Sequence, residues 1–352
     1  MSEEVQAIGW EAIDKEMERL YGDQVPKHYG TMLPYSLGGP DPLEGISAYV
    51  KNEPVPHWHI VTYGFSDLYE KESKDSEYSG YGFELTFRLA KQTNEQEPPA
   101  WSLNFLQNLG RYIFSSGNYF QAGHYLNTNG PIALESDTLI QSIAFIEDPM
   151  LPPISTPNGR VEFLQVVGIT VDEREAMEMW NTLGLLEAAS SHLPLYITDL
   201  SRGSFMNDPA IKEALQSGMH KDGSSTGSLF LDNLDWTEKK SLFKKTTYTI
   251  TIGAKQAPLI AQILNGRIPK NKDLQLIGRN LSIVFSPTEH PNVDITDNQV
   301  KLSINQECVN ELMEVLVPYV GVYPLNSFKG LVFNIVKSEI KDSKGNVVET
   351  IG

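Results

Sequence analysis

Two histidines flank a tryptophan in His57-Trp58-His59, a spacing that could bring two imidazoles to one metal ion. On a β-strand, side chains two residues apart point to the same face, which is what a shared ligand position requires. A metal centre needs one or two further ligands. Asp67 and His124 qualify by residue type, although nothing in their spacing places them near the pair. Histidines that are buried and hydrogen-bonded within the protein are commoner than metal ligands when no complete ligand set is recognisable. A metal-dependent hydrolase centred on His57 and His59 is therefore an alternative and not the leading hypothesis.

Three other segments carry reactive residue types without a complete catalytic set. The loop at residues 37–45, LGGPDPLEG, lacks the P-loop and dinucleotide-binding spacings and loses backbone donors at its prolines, so a rigid turn is predicted. Glu147 and Asp148 before Pro149 are predicted to begin a loop with exposed acids, and Asp199 with Arg202 to form a local ion pair or turn. No nucleophile, base and electrophile come together, so the sequence favours a protein that is not an enzyme.

Helical and extended patterns alternate through the first two hundred residues. The apolar spacing of residues 9–22 predicts an amphipathic helix that ends at Gly22, and strict alternation over residues 82–90 predicts a half-buried strand. Further helices are predicted at residues 102–117 and 172–192, and further strands at residues 59–65, 142–148, 161–169 and 195–200. This order predicts an α/β N-terminal lobe.

A second, smaller α+β lobe is predicted for residues 246–352, where alternating strands enclose two short helices. The stretch before it, residues 216–245, begins with clustered Gly, Ser and Thr and has no sustained apolar period, so it is interpreted as the linker. The predicted organisation is therefore an N-terminal domain at 1–215, a linker at 216–245 and a C-terminal domain at 246–352, with mixed sheets flanked by helices.

The charge of this 352-residue chain is unevenly distributed, which bears on its partners. Residues 1–245 contain 18 Lys and Arg against 35 Asp and Glu, whereas the remainder contains ten of each, so the first part carries the whole net charge of −17. An acidic lobe repels phosphate backbones, which argues against direct nucleic-acid binding, and it attracts a basic partner. The N-terminus resembles no signal peptide and no apolar run could span a bilayer, so a cytoplasmic protein without membrane contact is expected. The lone Cys308 is predicted to be a buried thiol.

Several segments, in their order and spacing, closely resemble the Suppressor of fused family. The match runs from about Gly9 to about Asp222, and its segments are LGGPDPLEGISAY, PHWHIVTYGFSDLYEK, SGYGFELTFRL, PPAWSLNFLQNLGRYIF, IEDP, VEFLQVVGIT and LYITDLSRG. The chain lacks the long insertion of the animal members and is in this respect more similar to bacterial ones. The resemblance implies two lobes, α/β and α+β, that close around a ligand peptide.

In animal members of this family, the ligand is a short extended segment of a Gli-type transcription factor that pairs as a strand, which needs no cofactor. The resemblance assigns partner contacts to Tyr112 in GRYIF and Glu147 in IEDP. At a third contact position, where the animal proteins carry an Asp, this chain has His124 in AGHYL, which implies a different ligand.

The leading hypothesis is a non-enzymatic protein that binds and sequesters another polypeptide. Bacterial relatives often act as immunity proteins against toxins, many of which are basic, and the acidic lobe suits such a partner. A metal-dependent hydrolase and a general intracellular peptide-binding regulator remain the alternatives.

Overall fold

The chain forms two compact units that interleave along the sequence. A computed structural model describes residues 6–33, 35–134, 136–240, 246–296, 299–341 and 346–352. The first unit comprises Met1–Arg174 and Leu186–Phe205, and the second comprises Glu175–Leu185 and Met206–Gly352. Both units combine sheets with helices, which confirms the predicted fold class.

Seven α-helices and nineteen strands are assigned within the described residues. The helices are α1 (Ile8–Tyr21), α2 (Ala100–Ser116), α3 (Val171–Met179), α4 (Thr182–Ala188), α5 (Pro209–Asp222), α6 (Ala257–Arg267) and α7 (Gln306–Val315). The strands are β1 (Lys27–Gly30), β2 (Gly45–Lys51), β3 (His57–Tyr63), β4 (Tyr78–Ala90), β5 (Tyr125–Asn127), β6 (Ile140–Glu147), β7 (Ile154–Thr156), β8 (Gly159–Thr170), β9 (Ser228–Phe230), β10 (Leu234–Lys239), β11 (Thr247–Gly253), β12 (Leu274–Ile277), β13 (Ser282–Pro287), β14 (Asn292–Thr296), β15 (Gln299–Ile304), β16 (Gly321–Pro324), β17 (Leu331–Val336), β18 (Ser338–Lys341) and β19 (Val347–Ile351).

One eight-stranded sheet organises the first unit, in the order β1-β2-β3-β4-β8-β6-β5, with β7 paired to β8. Only the central β4–β8 pair is parallel, and the other pairs are antiparallel. The short strands β1 and β5 therefore lie at the two opposite edges of the sheet. Both edges expose backbone groups that another chain could pair with unless something covers them.

Helices cover both faces of this sheet, which is why β3 is buried along its whole length. Trp58 and Ile60 point to the face that α2 covers, whereas Val61 and Tyr63 point to the face that α1 covers. The alternation follows from the two-residue repeat of a strand. Helix α1 ends at Tyr21, and Gly22 follows it as predicted, with a φ of 58° that glycine adopts at little cost.

Three predictions of local structure in the first two hundred residues are wrong. Residues 82–90 lie in a strand, β4, but it is buried on both faces and not half-buried: Glu84, Thr86 and Arg88 are as inaccessible as the apolar residues between them, because helices cover both faces of the sheet. Residues 195–200, predicted as a strand, form a 3-10 turn at Pro194–Tyr196 and a single bridge between Thr198 and Leu89. Leu195 and Tyr196 have positive φ angles, which an extended strand does not allow. The helix predicted at residues 172–192 is two helices, α3 and α4, that are separated at Trp180 and Asn181.

Residues of two sheets and of helices α6 and α7 form the core of the second unit. One sheet has the order β10-β11-β17-β16, the other has the order β14-β15-β13-β12-β9, and β18 pairs with β19. Asn305 caps α7 by accepting a hydrogen bond from the Cys308 backbone N–H, and the thiol of Cys308 is buried as predicted. Trp180 belongs to this unit: its indole lies where a side chain at Gly218 or Gly184 would have to be.

The segment interpreted as a linker, residues 216–245, contains the end of α5 and the strands β9 and β10, which pair with β12 and β11. Its last part, residues 241–245, lies outside the described residues. The domain limits taken from the sequence stay a prediction, and the compact units divide the chain elsewhere, with Glu175–Leu185 assigned to the second unit.

Candidate functional site

The end of β6 leaves backbone groups open at the edge of the first unit's sheet. On its outer side β6 pairs with β5 as far as Ala144, and Phe145 then exchanges hydrogen bonds with the Gly123 N–H and the His124 carbonyl at 2.8 and 2.9 Å. On its inner side the Asp148 N–H bonds the Phe163 carbonyl at 2.8 Å. Because backbone direction alternates along a strand, the N–H and C=O of Glu147 face outward, past the last partner. We call residues 145–147 the open edge.

A column of aromatic rings runs from the open edge to the surface. Phe145 stacks on Phe120 with ring centroids 4.1 Å apart, and Phe120 stacks on Tyr112 of α2 at 5.8 Å. Phe145 and Phe120 are buried, whereas Tyr112 is 39% exposed and its hydroxyl accepts a hydrogen bond from Asn118. Side chains two residues apart share a face, so the exposed Glu147 carboxylate lies on the same side of the sheet as this column.

The three residues assigned to partner contact by the resemblance gather around Phe145. Tyr112 reaches it through Phe120, the backbone of His124 bonds it directly, and Glu147 follows it by two positions. The side chains of His124 and Glu147 are both exposed. Their role in binding stays a prediction, since their placement shows accessibility and proximity. Phe120 and Phe145 were not identified from the sequence, where they are ordinary apolar residues of a turn and a strand.

Directly behind the open edge, the Asp148 carboxylate collects a buried polar cluster, which we call the polar hub: Asp148, Arg88, His59, Thr86 and Gln165. Arg88 donates to both carboxylate oxygens, at 2.6 and 2.9 Å, and Thr86 and His59 donate to one of them at 2.7 and 3.2 Å. Gln165 accepts from Arg88. The other oxygen also accepts the N–H groups of Met150 and Leu151. The prediction that both acids of Glu147-Asp148 are exposed is therefore wrong for Asp148. Its hydrogen-bond donors offset the free-energy cost of removing a charged carboxylate from water.

The polar hub holds one carboxylate in its ionised form and one histidine in its neutral form. Burial opposes ionisation of Asp148, but the hydrogen bonds from His59 and Arg88, together with the charge of Arg88, outweigh it and hold its pKa below the usual range. Burial, followed by the charge of Arg88, lowers the pKa of His59 to about 4. A carboxylate only accepts hydrogen bonds, so Nε2 of His59 carries the proton and Nδ1 accepts from the Tyr21 hydroxyl at 2.7 Å. The turn that follows Glu147 is thus tied to β3 and β4.

The histidine pair that suggested a metal site is engaged inside the sheet. His59 uses both ring nitrogens in the polar hub, and Nδ1 of the buried His57 bonds the Val55 carbonyl at 2.7 Å. His124 lies beyond β6, with β4 and β8 also between it and β3. Within the described residues, no three His, Cys, Asp or Glu side chains are grouped so that they could hold a metal ion. The proposed ligand set therefore does not come together there.

The opposite edge of the same sheet is closed by a side chain. Strand β1 pairs with β2 only as far as Ala48, so the backbone of Val50 lies past the end of β1. The carboxamide of Gln24 takes the place of a neighbouring strand: its Oε1 accepts the Val50 N–H at 2.8 Å and its Nε2 donates to the Val50 carbonyl at 3.0 Å. This end of β2 is the closed edge.

Two further predicted features have a structural role. Arg202 forms an ion pair with Glu173 rather than with Asp199, whose carboxylate accepts from the backbone and hydroxyl of Ser201 in a turn. In the glycine-rich loop, the Gln107 carboxamide bonds both the N–H and the carbonyl of Leu43, at 3.3 and 3.1 Å. That loop is held against α2, as expected of a rigid turn.

In the portions of the chain that the structure covers, every helix is too short or too polar to cross a membrane.

A family profile and two curated relatives point to the same family. The profile of Suppressor of fused protein (SUFU) matches residues 39–203. The human and mouse Suppressor of fused homologs are each 39% identical to this chain over 236 residues, which is 62% of this chain and 48% of each homolog. The chain thus spans about half the length of these two relatives.

Solved structures extend the likeness over both units. The crystal structure of Drosophila Suppressor of Fused matches with a TM-score of 0.76 at 24% identity and covers 94% of this chain and 97% of that one, which shows the fold. A chain of the Sufu–Fu complex matches with a TM-score of 0.56 at 33% identity and covers 60% of this chain and 98% of that one. The open edge, the polar hub and Leu43, which docks its loop on α2, lie within the matched residues 39–203. With 33% identity over 98% of the matched chain of the Sufu–Fu complex, this chain belongs to the Suppressor of fused family.

Proposed function

We propose that this protein binds another polypeptide without catalysing a reaction, and that an extended segment of the partner adds as a strand at the open edge. The observation that carries the proposal is the outward-facing N–H and C=O of Glu147, beyond the last backbone partner of β6. Main-chain hydrogen bonds at such an edge provide affinity for any extended segment.

Specificity comes from the side chains around the edge. The exposed face of Tyr112 offers a rigid apolar contact above the buried rings of Phe120 and Phe145. The Glu147 carboxylate can pair with a basic or hydroxyl-bearing side chain of the partner, and His124, whose backbone bonds Phe145, also has an exposed side chain. The segment we propose therefore presents an apolar side chain to Tyr112 and a donor to Glu147.

Charge supports a basic partner. Residues 1–245 carry the whole net charge of −17, so a cationic protein approaches this part of the chain faster and is retained longer. A related chain was crystallised as a Sufu–Fu complex, which is a precedent for a polypeptide partner. Sequestration of a basic toxin in the cytoplasm, the role of an immunity protein, is the form of binding that we propose. A peptide-binding regulator without a toxin shares the same edge and differs only in the partner.

The test is affinity purification of the tagged full-length chain from its native cells, with the retained proteins identified by mass spectrometry. Tyr112→Ala and Glu147→Lys are expected to lose the partner while the melting temperature changes by less than about 2 °C, because both side chains are exposed.

Matched variants exclude a general surface effect. Tyr69 is as exposed as Tyr112, at 39%, and Glu70 is exposed like Glu147, so Tyr69→Ala and Glu70→Lys should keep the partner. Loss of the partner in all four variants would point to overall charge or surface, and retention in all four would refute the open edge as the site. A toxic partner whose toxicity this chain suppresses on co-expression supports the immunity role, and a partner without toxicity supports the regulator.

A further inference from the structure

A groove lined by carboxamide side chains lies in the second unit, apart from the residues of the proposed binding edge. Its volume is about 400 Å³, within the range typical of ligand sites. Helix α5 contributes Gln216, α6 contributes Gln262 and Asn265, and Gln306 begins α7. Residues three or four positions apart share a helix face, so Gln262 and Asn265 both point from α6 into the groove. Four residues with carboxamide side chains thus line one groove, together with Met219, His220, Gly266, Pro269 and Lys270.

Three of these carboxamides form no hydrogen bond with any residue that the structure describes. Within the described part of the chain, no side-chain hydrogen bond engages Gln216, Gln262 or Asn265, whereas Gln306 donates to Asn310 at 2.9 Å. Each free carboxamide offers two N–H donors and one carbonyl acceptor. This combination matches the C=O and N–H groups that alternate along an extended peptide backbone.

At two other places in this protein, a glutamine carboxamide forms hydrogen bonds with the backbone of another residue. Gln24 bonds the N–H and carbonyl of Val50, and Gln107 bonds the N–H and carbonyl of Leu43. In both cases one side chain satisfies both polar groups of a single residue that has no neighbouring strand on that side. The free carboxamides of the groove are equipped to do the same for a residue of another chain.

We propose that this groove binds an extended peptide segment through its main chain, and that Gln262 and Asn265 are the principal contacts. The rim carries Lys270, whose ammonium group already donates to the Lys221 carbonyl at 3.0 Å. That charge repels a second cation, so the segment carries no Lys or Arg where it crosses the rim. Its chemistry differs in this respect from the basic partner proposed for the open edge, and either site can fail without the other.

The test uses a phage-displayed library of random 12-residue peptides, panned on the full-length protein. The selected peptide is synthesised with capped ends and its Kd is measured by fluorescence polarisation. The double variant Gln262→Ala/Asn265→Ala should weaken binding at least tenfold, and it should fold because alanine favours helices. The control Gln299→Ala removes an exposed carboxamide outside the groove and should change the Kd less than twofold.

A second measurement separates main-chain recognition from side-chain recognition. The same peptide with an N-methyl group on a central amide loses one backbone donor and should bind at least fivefold more weakly. Failure to select any peptide, unchanged binding to the double variant, or unchanged binding of the N-methylated peptide would each overturn the proposal. Binding that Glu147→Lys abolishes while the double variant leaves it intact would place the peptide at the open edge and also overturn it.

Discussion

At both edges of the first unit's sheet a strand extends past its outer neighbour, and the two edges differ in whether a side chain bonds the backbone groups left there. At the closed edge the Gln24 carboxamide satisfies the backbone of Val50 on the side where β1 has ended. At the open edge β5 ends in the same manner, but no side chain of the described residues takes its place beside the backbone of Glu147. An unprotected edge invites pairing with another chain. The comparison indicates that the open edge is kept available while its equivalent is closed.

The open edge also differs in what lies behind it. The turn after Glu147 is tied to the polar hub, so the strand end is rigid although its outer side is free. At the closed edge Val50 lies in β2, which pairs with β3, and its outer backbone groups are bonded by the Gln24 carboxamide, which is exposed to solvent. A binding edge that is already ordered loses less conformational entropy when a partner strand arrives.

The largest expected effect comes from removing the support behind the open edge. Asp148→Ala leaves the Arg88 guanidinium buried without its carboxylate, and we expect the free energy of unfolding to fall by about 3–5 kcal/mol in urea denaturation at pH 7.5. Glu147→Ala, one residue earlier but exposed, should change it by less than about 0.5 kcal/mol. Equal losses of unfolding free energy in Asp148→Ala and Glu147→Ala would mean that the polar hub does not stabilise the turn that follows Glu147.

A smaller effect should appear in the pH dependence. His59 is neutral in the folded protein with its pKa lowered from 6.5 to about 4, so the unfolded chain takes up a proton first as the pH falls. The stability that His59 contributes is complete above pH 6.5 and is lost as the pH falls toward 4, by about 3 kcal/mol in all.

The variant His59→Gln keeps a donor for Asp148 and an acceptor for Tyr21 but does not titrate. Its unfolding free energy should therefore fall less steeply than that of the wild type between pH 6.5 and 4, in urea titrations at several pH values. His290→Gln changes an exposed histidine and should leave the slope unchanged. Identical slopes for the wild type and His59→Gln would contradict the neutral, buried state of His59.

Opening the closed edge should cost less. Gln24→Ala removes two solvent-exposed hydrogen bonds, and we expect a loss of about 1 kcal/mol with faster hydrogen exchange at the Val50 amide. Gln96→Ala, another exposed carboxamide of the first unit, is the control and should alter neither quantity. If Val50 exchanges equally slowly without Gln24, the carboxamide does not close this edge.

The smallest effect needs no substitution. In the free wild-type protein the Glu147 amide should exchange with solvent at least tenfold faster than the Val50 amide, as measured by NMR in deuterated buffer. A bound partner strand should remove the difference by slowing Glu147 alone. Slow exchange at Glu147 in the free protein would mean that the edge is already satisfied.

Regular patterns in the sequence were sufficient for much of the fold. The alternation of Phe83, Leu85, Phe87 and Leu89 predicts the strand β4, and the spacing that ends at Gly22 predicts α1, because the side chains that face an apolar core recur with the period of the element. The same alternation does not predict that the polar side chains between these residues are buried on the other face of the sheet. The segment at residues 195–200 has the composition of a strand, yet Leu195 and Tyr196 have left-handed angles, and their carbonyls accept hydrogen bonds from the distant Gln165 side chain, a contact that composition does not encode.

The candidate site was only partly accessible from the sequence. Tyr112, Glu147 and His124 were assigned by family resemblance, and no spacing rule connects them. The burial of Asp148 depends on donors from β3 and β4, about 60 to 90 residues earlier in the chain. The Gln24 contact with Val50 likewise depends on where β1 ends relative to β2. Such pairings are properties of the assembled sheet.

The position of Trp180 limits how this protein can be divided into fragments. Its indole packs on Gly218 and bonds Asp222, and its carbonyl accepts the Ser225 N–H, although residues of the first unit lie on both sides of it in the chain. A fragment that stops at residue 215 would keep this tryptophan and Gly184 but lose Gly218, Asp222 and Ser225, and would expose one side of a large apolar ring. Truncation at the boundary suggested by sequence composition should therefore yield an aggregation-prone product, and intact chains are the right material for locating the partner.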